Sequence, residues 1–203
     1  ALLLLVISAA AISMIQPLFA LFIEGRIGET AYLATITGSI FGVVGLFQVI
    51  SSSFWGKLND RRDIRKNLLW ALIGAGAGYA LHVVTTGVWE LVPIRALLGL
   101  CIGGVMPSLF SFINKCIPNE KKGGVMGIAS SFTMLGNLLG PISSGFIASV
   151  TSIDFMFILS GIILAATGVL AYYKLKDKPR DRDKVSEKDK STITEEIAAG
   201  ALD

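Results

Sequence analysis

The chain is 203 residues long, 53% hydrophobic and only 16% charged, with a formal net charge of +3. A soluble domain of that size spreads charge over its whole surface. Here the charges gather in short clusters and one tail, between apolar stretches of about twenty residues, the length that crosses the ~30 Å hydrocarbon core of a bilayer. Composition therefore excludes a soluble globular domain, and it excludes nucleic acid as a partner, because the basic excess belongs to loops between apolar stretches.

Six membrane helices are expected in chain order, near 1–23, 33–55, 67–87, 89–113, 124–150 and 154–173. The first has no basic leading region, runs too long for a cleaved signal and contains Gln16-Pro17 before closing at Glu24. It begins at Ala1 rather than methionine, so an internal piece of a longer chain is expected. Basic loop 56–66 follows the second span, with Lys57, Arg61, Arg62, Arg65 and Lys66. The third span carries the lone histidine, His82, read as a hydrogen-bonded interior residue. The fourth carries Arg95 and Cys101, and loop 114–123 behind it holds Lys115, Cys116, Lys121 and Lys122. After the sixth span, residues 174–203 are dominated by Lys, Asp, Glu and Arg and read as a solvated, mostly disordered tail, with Thr192 and Glu195 spaced as a capping box. The two cysteines have no metal-ligand spacing. With no phosphate-binding glycine loop, catalytic triad or paired carboxylates, neither an enzyme nor a metal or other cofactor is expected.

Of the eighteen lysines and arginines, all but Arg26 and Arg95 fall in loops 56–66 and 114–123 or in the tail. Lys/Arg excess marks the cytoplasmic side, so both ends of this segment are expected in the cytoplasm, the chain being integral to the plasma (inner) membrane. Trp55, Trp70 and Trp89 fall near expected helix ends, where indole prefers the interface.

Glycine is abundant, at 22 residues, and mostly lies inside the spans. In lipid, small residues four apart let helix backbones approach, and Gly38/Gly42, Gly74/Gly78, Gly99/Gly103 and Gly136/Gly140 have that spacing. Pro17, Pro107 and Pro141 each withdraw an amide from the carbonyl four residues back, at Ser13, Gly103 and Asn137, leaving either a static kink or a pivot. Arg95 lies roughly 10 Å below the outer interface by helical rise. An arginine there must snorkel, pair or face water, so a functional arginine and a structural one bonded to neighbouring carbonyls both fit.

Gly56-Lys57-Leu58-Asn59-Asp60-Arg61-Arg62 resembles the cytoplasmic signature Gly-x-Leu-x-Asp-Arg-x-Gly-Arg-Lys of the major facilitator superfamily. Asp63 stands in place of the second glycine, and the basic pair Arg65-Lys66 arrives one residue late. Arg95-x-x-x-Gly99-x-x-x-Gly103 is similar to the fourth-helix arginine motif of drug–proton antiporters. Gly136-Asn137-Leu138-Leu139-Gly140-Pro141, with Gly145 beyond, is similar to the antiporter signature Gly-x-x-x-Gly-Pro-x-x-Gly, Gly145 coming one residue late. The resemblance covers roughly residues 1–175, and the part after Arg95 looks most like the second half of bacterial multidrug and tetracycline-type exporters.

That resemblance implies an all-α integral membrane protein in which residues 1–173 form one six-helix half, the second, of a twelve-helix transporter rocking around a central site. Its implied partners are a small-molecule substrate, a proton, the bilayer and the other six-helix half. Spans one, two, four and five would line the cavity, with three and six facing lipid more. Carried onto this chain, Ser13, Gln16, Phe19, Gln48, Arg95 and Cys101 become lining candidates, with ordinary interhelical packing as the alternative for each. Gly56, Asp60, Arg61 and Arg65 become gating-loop residues. Gly99, Gly103, Gly136, Gly140, Pro141 and Gly145 become packing residues. No carboxylate lies deep in a span, so proton coupling falls to the missing half or to Glu24 and Glu90 acting with Arg95. The implied function is proton-driven export of amphipathic drugs. A metabolite carrier for a sugar or organic anion is the alternative within transport, and a non-transporting half or scaffold the alternative outside it.

Overall fold

The first apolar stretch is not one helix but two. In the computed structural model, which describes residues 1–28 and 31–175, α1 (Leu2–Ser13) and α2 (Leu18–Ile27) are separated by a turn over residues 14–17. Pro17 has no amide to offer the Ser13 carbonyl. The turn compensates: Gln16 N donates to that carbonyl at 3.1 Å, and Leu18 N to the Ile15 carbonyl at 3.2 Å. Side chains from distant helices supply the next carbonyls back. Ser160 Oγ donates to Ala11 O at 2.6 Å and Tyr79 OH to Ile12 O at 3.2 Å. Irregular backbone at membrane depth persists only where protein or water satisfies it in this way.

The remaining helices are α3 (Leu33–Arg61), α4 (Ile64–Leu81, continued by a 3-10 turn His82–Val84), α5 (Val88–Cys116), α6 (Lys122–Ala148) and α7 (Ile153–Lys174). With α1 and α2 counted as one crossing, six helices are long and apolar enough to span a membrane, and no strand occurs among the described residues. The molecule is an all-α transmembrane bundle.

Helix α3 continues through most of the basic loop to Arg61, and only two residues separate it from α4. Asp63, the departure from the signature glycine, explains the short link. Its carboxylate accepts the Arg65 amide at 2.9 Å as the N-cap of α4, and the Arg65 guanidinium folds back onto both its oxygens at 3.1 and 2.9 Å. The expected tail, from residue 176 on and including Thr192 and Glu195, lies outside the described residues.

The closest pairings run in a string, α3–α5–α4–α7–α1–α6. Glycine makes most of them. A Cβ on Gly136 would lie 2.5 Å from the Val6 carbonyl oxygen, and one on Gly140 2.5 Å from that of Ala10 and against Ser13 Oγ, so α6 lies on α1 backbone to backbone. Gly99 and Gly103 do the same for α5 against α3, meeting the carbonyls of Val44 and Gln48 at 2.5 and 2.7 Å. Gly74 and Gly78 admit Cys101 and Leu98 from α5. The tightest contact between α4 and α7 joins Gly76 and Gly161, where a Cβ on either would come within 2.6 or 2.7 Å of the other's carbonyl oxygen. Because its two members sit on different helices, four-residue spacing did not reveal it. A Cβ on Gly38, Gly42 or Gly145 would meet nothing within 4 Å, so no helix of this half crosses tightly at these three expected packing positions.

The Trp55 indole Nε1 donates to Leu100 O at 2.8 Å and its ring lies over Gly104. Within this half the third and sixth spans are more buried than the second and fifth. Half of the most apolar stretch of α4 and 39% of that of α7 is buried, against 6% for α3 and 17% for α6. Helices α4 and α7 occupy the middle of the string, and α3 and α6 its two ends.

Gly140→Leu is expected to lower the stability of the detergent-solubilised protein by about 1–3 kcal/mol or block its insertion, as overpacking does in a filled site. Gly145→Leu, with open space around its Cβ, should leave the thermal unfolding midpoint nearly unchanged. Equal midpoints for the two variants would remove the packing role assigned to Gly140.

Candidate functional site

A cavity of about 380 Å³ opens between α1, α3, α5 and α6, with Tyr79 of α4 at its back. Its polar lining is Gln16, Gln48, Tyr79, Arg95, Thr133 and Asn137, set among apolar side chains such as Ile12, Ile102 and Met106. The break in the first span places Gln16 here: with the chain turned at residues 14–17, this side chain is exposed to the cavity while Ile15 and Leu18 beside it are buried.

Arg95 dominates the site. It is 2% exposed, and its Nε and Nη2 are sealed from solvent with no hydrogen-bond partner. Its guanidinium carbon stands 3.4 Å from the centroid of the Phe19 ring and 5.7 Å from that of Phe41. Such stacking contributes about 2 kcal/mol or more when desolvated. Two buried donors without acceptors cost about 1–3 kcal/mol each, more when charged, so the rings offset a cost of the same order but leave both donors unpaired. None of the cavity's acceptor oxygens reaches Nε or Nη2 in this arrangement.

Of the residues expected to line a cavity, Gln16, Gln48 and Arg95 do so, while Phe19 lies behind the cavity as the platform for Arg95. Ser13 turns toward α6, its Oγ directed at the carbonyls of Ala10 and Gly136 at 3.3 and 3.5 Å, and Cys101 turns toward Gly74 of α4. Glu24 and Glu90 form no ion pair with Arg95. The Glu90 carboxylate is exposed and accepts the Thr86 and Gly87 amides at 2.9 and 3.4 Å, closing the amino end of α5. At the same end of the bundle, Arg26 pairs with Asp154 at 3.4 Å. His82 is fully buried against Phe157, with Nδ1 2.7 Å from the Gly78 carbonyl.

Asn137, Thr133 and Tyr79 escaped the sequence reading. Asn137 stands inside the glycine motif of the fifth span, and that position was the available signal. A second concavity of about 560 Å³ between α2, α3 and α5 is almost wholly apolar, and the Ser39 hydroxyl there already donates to Thr35 O at 2.8 Å.

At the basic end, a buried polar clamp joins three helices. Asn59 Nδ2 donates to Ser108 Oγ at 2.8 Å, Asn67 Nδ2 donates to Asn59 Oδ1 at 3.0 Å, and Lys115 Nζ donates to the Asn59 carbonyl at 3.1 Å. Gly56 lies within α3, and Asp60 and Arg61, beside the clamp, are exposed. Arg65 is held by Asp63, whereas the Asp60 carboxylate makes no hydrogen bond or ion pair among the described residues.

Known proteins align with this arrangement along nearly its whole length. The chain is 31% identical over 174 residues to the multidrug resistance protein MdtG of Escherichia fergusonii, covering 85% of the chain and 42% of that relative. It is 32% identical over 160 residues to MdtG of Klebsiella pneumoniae, covering 78% and 38%. The MdtG of Yersinia enterocolitica is 29% identical over 174 residues, covering 85% and 42%. The chain thus spans about two-fifths of the length of these relatives. The sequence pattern of the Major Facilitator Superfamily matches residues 1–201, and with six membrane-spanning helices folded around a shared cavity the chain belongs to that family.

Proposed function

We propose that this chain is one six-helix half, the second, of a secondary transporter that exports small amphipathic molecules by alternating access. The observation that carries the reading is the cavity around Arg95, a buried guanidinium without an acceptor in a pocket walled by the first, second, fourth and fifth spans. A polar cavity cannot stand open to hydrocarbon. Helices α3 and α6 flank it and are the two least buried in the bundle, which fits a second six-helix unit closing the cavity from that side. The relatives' name, multidrug resistance protein, supports drugs as the cargo. By the charge bias of its loops, the basic end with both ends of this segment faces the cytoplasm of a cell whose plasma membrane holds the protein. No carboxylate lines the cavity among the described residues, which fits a proton-binding group in the other half if export is proton-driven.

Asp60 then serves as the inside latch. The Asn59 clamp and the Asp63 cap fix the loop to α4 and α5, which leaves the exposed Asp60 carboxylate in a set position for helix ends of the other half. A carboxylate at a helix amino end gains roughly 0.3–1 kcal/mol, enough to shift a two-state equilibrium several-fold.

Arg95→Ala should reduce transport of a fluorescent amphiphile from inverted vesicles more than tenfold at normal membrane levels of the protein, with Arg95→Lys restoring part of it because lysine lacks the planar fork. Undiminished transport by Arg95→Ala would overturn the assignment of this cavity.

Asp60→Asn should raise the labelling rate of a cavity cysteine by a thiol reagent added from the cytoplasmic side and slow transport without lowering expression, with Glu at this position restoring more than Asn. Asn59→Leu, by contrast, should lower thermal stability, since it strands the buried Asn67 and Ser108 groups at about 1–3 kcal/mol each. Unchanged labelling in Asp60→Asn would reduce the loop to a solvated turn.

A further inference from the structure

The two orphaned nitrogens of Arg95, Nε and Nη2, are not any two of its three. Together they form one edge of the guanidinium, the side-on fork whose parallel N–H bonds match the two oxygens of a carboxylate or phosphate. The Phe19 ring lies against the guanidinium, with Phe41 further off, and neither supplies an acceptor, so that edge is left unanswered. Phe19 belongs to the first turn of α2, so the guanidinium also stands beside the positive end of a ten-residue helix. The neighbouring polar groups are compatible with an anion. Gln16, Gln48 and Asn137 can each turn amide donors to it, and no aspartate or glutamate among the described residues lines the cavity to repel it. Tyr79 and Thr133 direct their hydroxyl protons to the carbonyls of Ile12 and Ala129. The wall beyond is apolar.

From this geometry we infer that the cavity receives the oxyanion head of an amphipathic molecule, a carboxylate or phosphate gripped by the Nε/Nη2 edge of Arg95, with its hydrocarbon body against Ile102 and Met106. The inference rests on the transport reading for the identity of the cavity, and it adds the charge of the cargo: this half prefers an anion over its neutral counterpart of equal size. The fork is buried in the present arrangement, so entry of the head requires the side chain to turn its edge toward the cavity amides.

A matched pair of probes tests the charge. The protein as the cell makes it, in nanodiscs of zwitterionic lipid, is titrated with 11-(dansylamino)undecanoic acid and with its methyl ester, and binding is read by dansyl emission. The acid is expected to bind at least tenfold more tightly than the ester. Arg95→Gln should erase the difference by weakening the acid alone, and Arg95→Lys should retain part of it. Should Arg95→Gln fail to fold, the ratio in the unmodified protein still decides. Equal affinities there overturn the inference and assign the fork to a carboxylate elsewhere in the transporter, and so would a preference that survives Arg95→Gln. Repeating the titration in nanodiscs containing phosphatidylglycerol separates sources: loss of the acid's advantage by competition makes an anionic lipid head the occupant of the same oxyanion site, and an unchanged advantage makes it a free amphiphile. Transport is measured separately in proteoliposomes, so acid-selective binding without transport sinks the transporter reading alone, and transport without acid selectivity sinks this one alone.

Discussion

Between helices immersed in hydrocarbon, burying apolar surface gains little, because lipid tails are as apolar as leucine. What holds such a bundle is the distance to which two backbones can approach and the polar contacts made at that distance. Here the crossings of α6 on α1, α5 on α3 and α7 on α4 each occur where a glycine faces a carbonyl of the partner helix. Once the backbones are that close, short side chains reach across: Ser51 Oγ lies 3.4 Å from Gly99 O and Ser13 Oγ 3.5 Å from Gly136 O. A larger residue at any of these glycines would lengthen the reach of those hydroxyls as well as crowd the crossing. The same constraint sets the position of the cavity. Helices α3 and α6 are drawn onto α5 and α1 rather than onto each other, and the space left between them is the site.

The broken first span links packing to chemistry. Pro17 alone would leave a kink, but the turn at residues 14–17 also rotates Gln16 outward and starts α2 with Phe19 in its first turn, under the Arg95 guanidinium. One imino acid thereby sets a cavity-lining amide and the platform for the buried cation. The carbonyls that the break leaves are answered by Tyr79 and Ser160, so the irregularity is tied to the third and sixth spans.

Much of this was legible in the sequence. Span number followed from apolar length, and the packing of Gly74, Gly99, Gly136 and Gly140 followed from spacing, because each pair lies on one helix face. Gly38 and Gly42 share that spacing and no helix of this half crosses tightly at them, since spacing states which residues share a face but not whether a helix lies opposite it. Gly76 and Gly161 were invisible for the converse reason. Arg95 stood out because charge at that depth is rare, whereas its missing acceptor is a fact of three dimensions. Asp63 read as damage to a signature and is the cap of α4. Cys101 and Ser13 read as lining residues because a span's rotation about its own axis is set by its neighbours, and both face neighbouring helices.

The string of pairings, α3–α5–α4–α7–α1–α6, joins spans out of the order in which a ribosome delivers them. The Ile12 carbonyl waits for a tyrosine 67 residues later, and the Ala11 carbonyl for a serine 149 residues later. At about 5–20 residues per second of synthesis, the second wait is on the order of ten seconds. Through that interval the first crossing of this half holds exposed carbonyls at its midpoint, which water, the insertion machinery or other helices must answer. The broken span is thus the first part of the bundle to be made and among the last to be finished, so its survival during biogenesis depends on whatever shelters it until the sixth helix arrives.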